Sequence, residues 1–431
     1  MSRQTIWRCE PRPALHYDRK GWRDAAVWLG WRDAASSHRD CRLRPAGLAT
    51  ALLLHRDGHH VTLFERFDAL RPVGSGLMIQ PTGFAVLRAL GLADALLDHG
   101  ARIDRLHGEA GRSGRVVLSV RYAALGKRAG FGVGVHRATL FALLHQAVAA
   151  AGIAIETGCA VSGSDLTAGD RRVLLLEGGR RIGPFDLIVD ALGTRTPLAP
   201  PCGRTLAYGA LWGTLDWPAD AGFDTAALEQ RYRRASVMVG VLPIGRFPGD
   251  PRQQAALFWS LRADRLAEWQ AAGLDAWKAE VSALWPATRA LLDQICSPDQ
   301  LTFARYAHRT LPTPAEAGMI HIGDAWHSAS PQLGQGANMA LLDAYALTLA
   351  LRGSPDVATA LGQAIAMRRR HVHLYQALTA LFTPVYQSDS HALPFVRDRI
   401  VGPLSKLWPA TRIQAAMVSG LIGNPLKPLF G

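Results

Sequence analysis

Two carboxylates in this chain stand where an apolar run ends in a turn, and each could grip a large polar molecule. Asp324 follows Met319, Ile320 and Ile322, a strand-like run that ends at Gly323. Pro331, Gly334 and Gly336 come next, and then a stretch at about 338–351 that is apolar on one face and reads as a helix. A carboxylate delivered by a strand can accept hydrogen bonds from a polyol, and free N–H groups at a helix start can hold negative charge. Glu65 closes the strand-like run 61–64, where a dinucleotide fold places the carboxylate for a ribose.

The elements that must position these groups alternate between strand and helix. Pro45-Ala46-Gly47-Leu48-Ala49 leads into a helical run at 48–56, and Asp57-Gly58 makes the turn into the strand that ends at Glu65. Residues 71–93 carry Gly74, Gly76 and Pro81 ahead of another helix, and Arg137 precedes a helical run at 140–151. From 208 to about 303 the pattern changes to short strands, 206–215, 236–242 and 255–261, with a helical stretch at 263–295. Tyr208, Trp212, Met238 and Trp259 could line a pocket for a flat apolar ligand, although any one of them could equally be plain sheet core. The stretches 367–382 and 392–423 read as amphipathic helices with basic residues between. They would pack on the rest of the chain, on a dimer partner, or on a membrane surface.

The segment 321–343 resembles the second flavin-binding motif of the FAD-dependent aromatic hydroxylases, the single-component flavoprotein monooxygenases. That resemblance covers residues 45–431 and implies a p-hydroxybenzoate hydroxylase-like α/β fold. A Rossmann-like FAD-binding domain would interleave with a mostly antiparallel β-sheet substrate domain and end in a helical region. The division expected is 1–35 as a doubtful extension and 36–200 for FAD, with substrate-domain strands inserted at about 100–134. Residues 201–304 would form the substrate sheet, 305–370 return to the FAD domain, and 371–431 make the C-terminal helices.

The resemblance also implies roles for single residues. Asp324 would bind the ribityl chain and Glu65 the adenosine ribose, with Gly47, Arg66, Gly336, Ala337 and Asn338 also at the cofactor. Arg137 resembles the family arginine near the FAD diphosphate. Pro331, Gly334, Gln335 and Gly336 would surround the flavin ring, where the helix start could stabilise its negative charge. In the middle motif, 185–195, Leu192 stands where the family has aspartate, next to Gly193, and Asp190 could take over part of that role. His327 is expected to hold the loop. The chemistry implied is reduction of FAD by NAD(P)H, addition of O2 at flavin C4a, and oxygen transfer from the hydroperoxide to an aromatic or polyketide-like substrate. No residue stands out as a catalytic acid or base.

Before Pro45 the resemblance fails. The first two glycine positions of the phosphate loop are Arg42 and Arg44, whose side chains would fill the space that a pyrophosphate needs. Residues 33–40 lack any apolar run, so no strand is expected upstream. Residues 36–44 can be encoded so that a one-base shift reads Arg-Arg-Ile-Ala-Ile-Ala-Gly-Ser-Gly, which restores a strand and both glycines. Residues 1–44 also hold four of the twelve tryptophans, and they carry ten Lys/Arg against five Asp/Glu. Gly-Trp-Arg-Asp-Ala-Ala occurs twice there, at 21–26 and 30–35. A displaced reading frame before Pro45 is therefore expected, with a genuine basic tail or a targeting peptide as alternatives. Glycine at 42 and 44 alone is not expected to restore flavin retention, because the strand would still be missing.

Composition narrows the class further. With 48% hydrophobic and 19% charged residues over 431, the chain suits an ordinary globular protein of two or three domains. Five widely spaced cysteines form no Cys-x-x-Cys pair, which points to a reducing cytoplasm and to no metal site. The net charge of +13 is scattered and accompanies no nucleic-acid motif. The partners expected are thus a small aromatic substrate and O2, no nucleic acid, a possible peripheral membrane contact, and a monomer or homodimer. One alternative is another flavoprotein oxidoreductase of the same fold, such as a halogenase or prenyl reductase. The halogenase signature Trp-x-Trp-x-Ile-Pro is absent, since Trp212 and Trp217 are spaced differently. The other alternative is an inactive, cofactor-free product of the broken phosphate loop.

Overall fold

The computed structural model describes residues 44–67, 75–128, 130–423, 426 and 429, together with the backbone of 24–29. Arg42, Gly74 and the frame junction at 36–43 lie outside the described residues. The first layer is a six-stranded sheet. Its strands run in the order Ala315–Glu316, Met319–His321, Leu187–Asp190, Asp24–Leu29, His60–Glu65 and Ala154–Glu156. All neighbours are parallel except the first pair. Parallel strands need crossover connections and cover on their faces. Helix Pro45–Arg56 is such a crossover, and with Arg137–Ala150 and Gly336–Gly353 it covers the sheet, closing one large apolar core around Leu48, Leu63, Val189 and Leu341.

The absence of an upstream strand is corrected here. Asp24–Leu29 fills the middle of the sheet, with Val27 opposite Leu63 on one side and Val189 on the other. The apolar stretch Ala-Ala-Val-Trp-Leu lies farther upstream than the spacing of a tight phosphate loop allows, so a reading centred on 33–40 passes over it. Residues 30–43 then separate this strand from the helix that starts at Pro45.

The second layer is an eight-stranded, mostly antiparallel sheet. Its centre is the strand Arg204–Asp216, flanked by Gln254–Arg262 and Thr302–Thr310. Strands Arg105–Ala110 and Arg115–Arg121 join its far side through a parallel pairing with Ala227–Arg233. One face of this sheet packs on helix Leu266–Leu284 through Trp259, Trp277 and Val281. The C-terminal helices, up to Ala410–Val418, lie beside Tyr122, Val120 and Leu125.

A buried polar knot ties the layers together. Asp343, on helix Gly336–Gly353, accepts from the backbone N–H of Gly323 at 2.9 Å, from His327 Nε2 at 2.7 Å and from Arg368 Nε at 2.8 Å. Arg368 in turn donates to His371 Nδ1 at 3.0 Å, and His371 Nε2 donates to the Gly420 carbonyl at 3.0 Å. Burial works against the Asp343 charge, but His327 and Arg368 outweigh it and hold the carboxyl down at about 2. Burial, reinforced by Arg368, pushes His371 down to about 3.

Both groups therefore bind a proton less readily folded than unfolded. Their contribution to stability is complete above pH 6.5 and is lost as pH falls. His371 acts between 6.5 and about 3, and Asp343 follows between 3.8 and about 2. As pH is lowered from 7.5 to 5, the thermal midpoint of the wild type should drop relative to that of His371→Gln; a difference that stays constant would refute this. Asp343→Ala, which strands a buried guanidinium, should cost about 3–5 kcal/mol in chemical denaturation.

Candidate active site

A single cavity of about 2280 Å³ runs between the two layers. At one end it reaches Glu65, the last residue of its strand and only 1% exposed. Glu65 Oε1 accepts from the Phe67 N–H at 3.2 Å, while Oε2 has no partner among the described residues. Burial pushes this carboxyl up to about 7, against the pull of the Phe67 and Arg66 backbone N–H groups. A buried carboxylate oxygen without a donor, aimed along a cavity wall, is what a ligand hydroxyl would satisfy.

Midway along the cavity stands a cluster of charges. Arg44, the residue before helix Pro45–Arg56, donates through Nη1 to Asp324 Oδ2 in a very short ion pair. Its guanidinium lies over the backbone of Gly193, whose φ is +92°, and a Cβ at 193 would sit 2.2 Å from Arg44 Cζ. Arg137 borders the same space. Burial and the nearby Arg44 charge lower its pKa, while Asp324 and Tyr306 raise it. The helix that begins at Gly336 adds a third feature: Gln335 at its N-cap makes no side-chain cap and donates instead to the Val418 carbonyl at 2.6 Å. Its first N–H groups are thus left for a ligand, and Pro331, Gly334, Gly336 and Ala337 all line the cavity.

The far end of the cavity is aromatic. Trp212, Tyr232, Met238 and Phe258 line it, and Trp212 stacks at a tilt on Phe258 with ring centroids 4.7 Å apart. Trp212 Nε1 donates to the Tyr306 hydroxyl at 2.9 Å. Burial pushes the Tyr306 hydroxyl up to about 12, although Trp212 and Arg137 pull it down, so it stays protonated.

The expected site residues divide accordingly. Glu65, Arg137, Asp324, Pro331, Gly334, Gly336, Ala337, Trp212 and Met238 all meet in this cavity. Gly47, Arg66, Gln335 and Asn338 do not line it. Gly47 is buried in the first helical turn, and the Arg66 guanidinium lies over Phe67 at 5.6 Å. Asn338 is fully buried, accepts from Gln80 N at 2.8 Å and donates to the Met78 and Gly334 carbonyls. It ties two loops together, as His327 does. Asp190 is also fully buried, held by Leu192 N, Thr196 Oγ1 and His321 Nδ1, and does not border the cavity. Gly76 is on the wall, but its closest approach is to Ala256 and Ile244 of the other sheet, which a Cβ would strike at 2.5 and 2.7 Å.

Two pocket candidates are corrected. Trp259 sits on the opposite face of its strand from Phe258 and packs on Trp277 in the sheet-and-helix core. Tyr208 lies beyond a register break between Thr205 and Gly209, and its hydroxyl donates to Asp389 at 2.5 Å. Phe258, Tyr232 and Tyr306 were not singled out from sequence. Strict alternation around Met238 and Trp212 carries part of the signal, because Trp212 pairs with Phe258 and Met238 with Tyr232. Folded Glu65 holds its proton more tightly than the unfolded chain does, so its contribution to the stability of the ligand-free protein is full below pH 4.5 and is lost as pH rises to about 7. As pH rises from 4.5 to 7, the wild-type thermal midpoint should drop relative to that of Glu65→Gln; a constant difference would assign the raised titration to another group.

The comparisons with known proteins agree with this geometry. Residues 44–169 match the FAD binding domain family. The chain is 26% identical to 3-amino-4-hydroxybenzoate 2-monooxygenase of Streptomyces cremeus over 72% of its length and 77% of that protein's. It is 24% identical to the aurachin C monooxygenase/isomerase of Stigmatella aurantiaca, over 88% of this chain and 96% of the other. Among solved structures, Klebsiella pneumoniae HpxO complexed with FAD and uric acid superposes with a TM-score of 0.75 at 18% identity, covering 93% of this chain and 97% of that one. The orphaned Glu65 oxygen, the uncapped helix start and the glycine-backed wall suit FAD, with the Arg44 side chain as the one obstruction. Across the matched domain and most of its length, the chain is similar to FAD-dependent monooxygenases.

Proposed function

We propose that this protein uses FAD, NAD(P)H and O2 to hydroxylate a small aromatic or polyketide-like molecule. The observation that carries this reading is one cavity lined both by ribose- and phosphate-suited groups around the first sheet and by an aromatic box on the second. FAD, when bound, would accept reducing equivalents from NAD(P)H and activate O2 for transfer to the ring. Glu65 would hold the adenosine ribose through its free oxygen, and Asp324 the ribityl hydroxyls. Arg137 would face the diphosphate. The N–H groups at Gly336 and Ala337 would hold negative charge on the reduced ring, helped by the helix dipole. Trp212, Met238 and Phe258 would clamp a flat substrate and exclude water. Tyr306, kept protonated with its oxygen already accepting from Trp212, would donate to a polar substituent on that substrate. The protein acts as a monomer or homodimer, needs no nucleic acid, and works in the cytoplasm, a placement supported by the unpaired Cys159, Cys202 and Cys296.

The Arg44–Asp324 pair favours a second reading, an inactive product, because Asp324 must exchange its guanidinium partner for the ribityl hydroxyls. The two partners are 15% and 38% exposed. Breaking such a partly exposed pair costs only about 1 kcal/mol, or roughly fivefold in affinity. FAD should therefore bind, weakly. Titration of the purified chain with FAD, followed by visible absorbance and fluorescence quenching, should show Arg44→Ala binding roughly fivefold tighter. Asp324→Ala should bind more weakly than the wild type. NAD(P)H oxidation with O2 uptake is then screened across aromatic acids, hydroxypyridines and quinolones. No flavin in either the wild type or Arg44→Ala would favour the inactive product.

A further inference from the structure

The C-terminal segment 392–418 carries an apolar surface that the fold leaves uncovered. Phe395, Ile400, Leu404, Leu407, Trp408 and Ile413 are all exposed, Trp408 to 79%. Soluble surfaces scatter large apolar residues singly, and a contiguous set marks a contact. Basic residues are interleaved with them: Arg399, Lys406 and Arg412 are exposed, and the Arg399 guanidinium lies over the Phe395 ring at 5.8 Å. Asp398 is the one acidic residue in the segment, and Arg397 Nε already donates to it at 2.7 Å.

The same segment also lines the cavity. Val401, Ser405, Gln414, Met417 and Val418 line it together with Val117 and Leu118 of the neighbouring strand. Val401 is itself half exposed and also lines the cavity, so the segment that carries the apolar surface borders both the outside and the cavity. No helix among the described residues is long and apolar enough to cross a membrane, so any contact with a bilayer would lie in its plane.

We propose that residues 392–418 are a docking surface for an anionic lipid bilayer, with Trp408 and its apolar neighbours in the interface and Arg399, Lys406 and Arg412 on the headgroups. An amphipathic surface with tryptophan at its tip and cations around it matches both halves of such an interface. A second copy of the chain fits less well, because a two-fold pairing would set this cationic face against itself. The assignment concerns the surface and does not depend on the reaction proposed above.

The test is sedimentation of the full chain with phosphatidylcholine vesicles, with and without phosphatidylglycerol, alongside light scattering of the protein alone. The wild type should sediment with the phosphatidylglycerol vesicles and release at high salt. The pair Leu404→Ala/Trp408→Ala should lower partitioning about tenfold. The pair Lys406→Glu/Arg412→Glu should also lower it, by charge, at about fivefold or more for each residue. Every substituted position is exposed, and unchanged thermal midpoints would confirm folding. Absence of wild-type binding overturns the proposal, and so does binding that survives both pairs of substitutions, which would assign it to another surface. A wild-type dimer that Leu404→Ala/Trp408→Ala converts to monomer, without vesicle binding, would assign the surface to a second copy.

Discussion

The Asp343 carboxylate is the constraint on which the site depends. It lies on a helix far along the chain from Gly323, yet it takes the Gly323 N–H directly and so fixes the turn that presents Asp324. The same carboxylate holds His327, on the loop after that turn, and Arg368, on helix Val357–Tyr386. A carboxylate with three donors inside a core stays ionised only while all of them remain in place. Through it, the end of one strand, the loop beneath the ring site and two helices share one geometry. Arg309 adds a parallel tie, donating to the Ala325 and Thr194 carbonyls from the strand of the other sheet. The two layers therefore meet through stiff polar links at the middle of the cavity, where the most polar part of a cofactor would lie.

Arg44 shows how one side chain at a helix start can occupy the space that a small residue would leave open. In a tight glycine turn the backbone itself closes on the pyrophosphate. Here the guanidinium of the residue before the helix folds into the space above Gly193 and neutralises Asp324. Because Gly193 has no Cβ, the arginine lies flat on the backbone. Its Nε remains without a partner among the described residues, which marks a substitute fit and not a well-satisfied pair.

Much of the site was legible in the sequence because it consists of local signals in order. A strand ending in Asp324, a glycine loop and a helix can be read within about two dozen residues, and Glu65 follows from the same logic. What was not legible depended on register and distance. Trp259 and Phe258 are adjacent in sequence, and only the pairing of their strand decides which faces the cavity. Tyr208 looks equivalent to Trp212 by alternation, but a register break and a partner 181 positions away turn it aside. Asn338 and Gln335 are polar residues in a cofactor-like motif that serve the loops around them, which spacing alone does not reveal. The strand Asp24–Leu29 is hidden by distance, because a tight phosphate loop would place it immediately before Pro45.

That strand has a consequence for how the coding region is handled. It hydrogen-bonds on one side to His60–Glu65 and on the other to Leu187–Asp190, and those two have no contact across its place in the sheet order. Trimming the unusual leader back to Pro45, the obvious step in preparing a tidier expression clone, would remove the spine of the sheet. It would leave two edges of facing, unpaired backbone amides and carbonyls in the most apolar part of the molecule, and such edges recruit other chains. The inclusion bodies that followed would then be a product of the trimming, with no bearing on whether the leader is authentic.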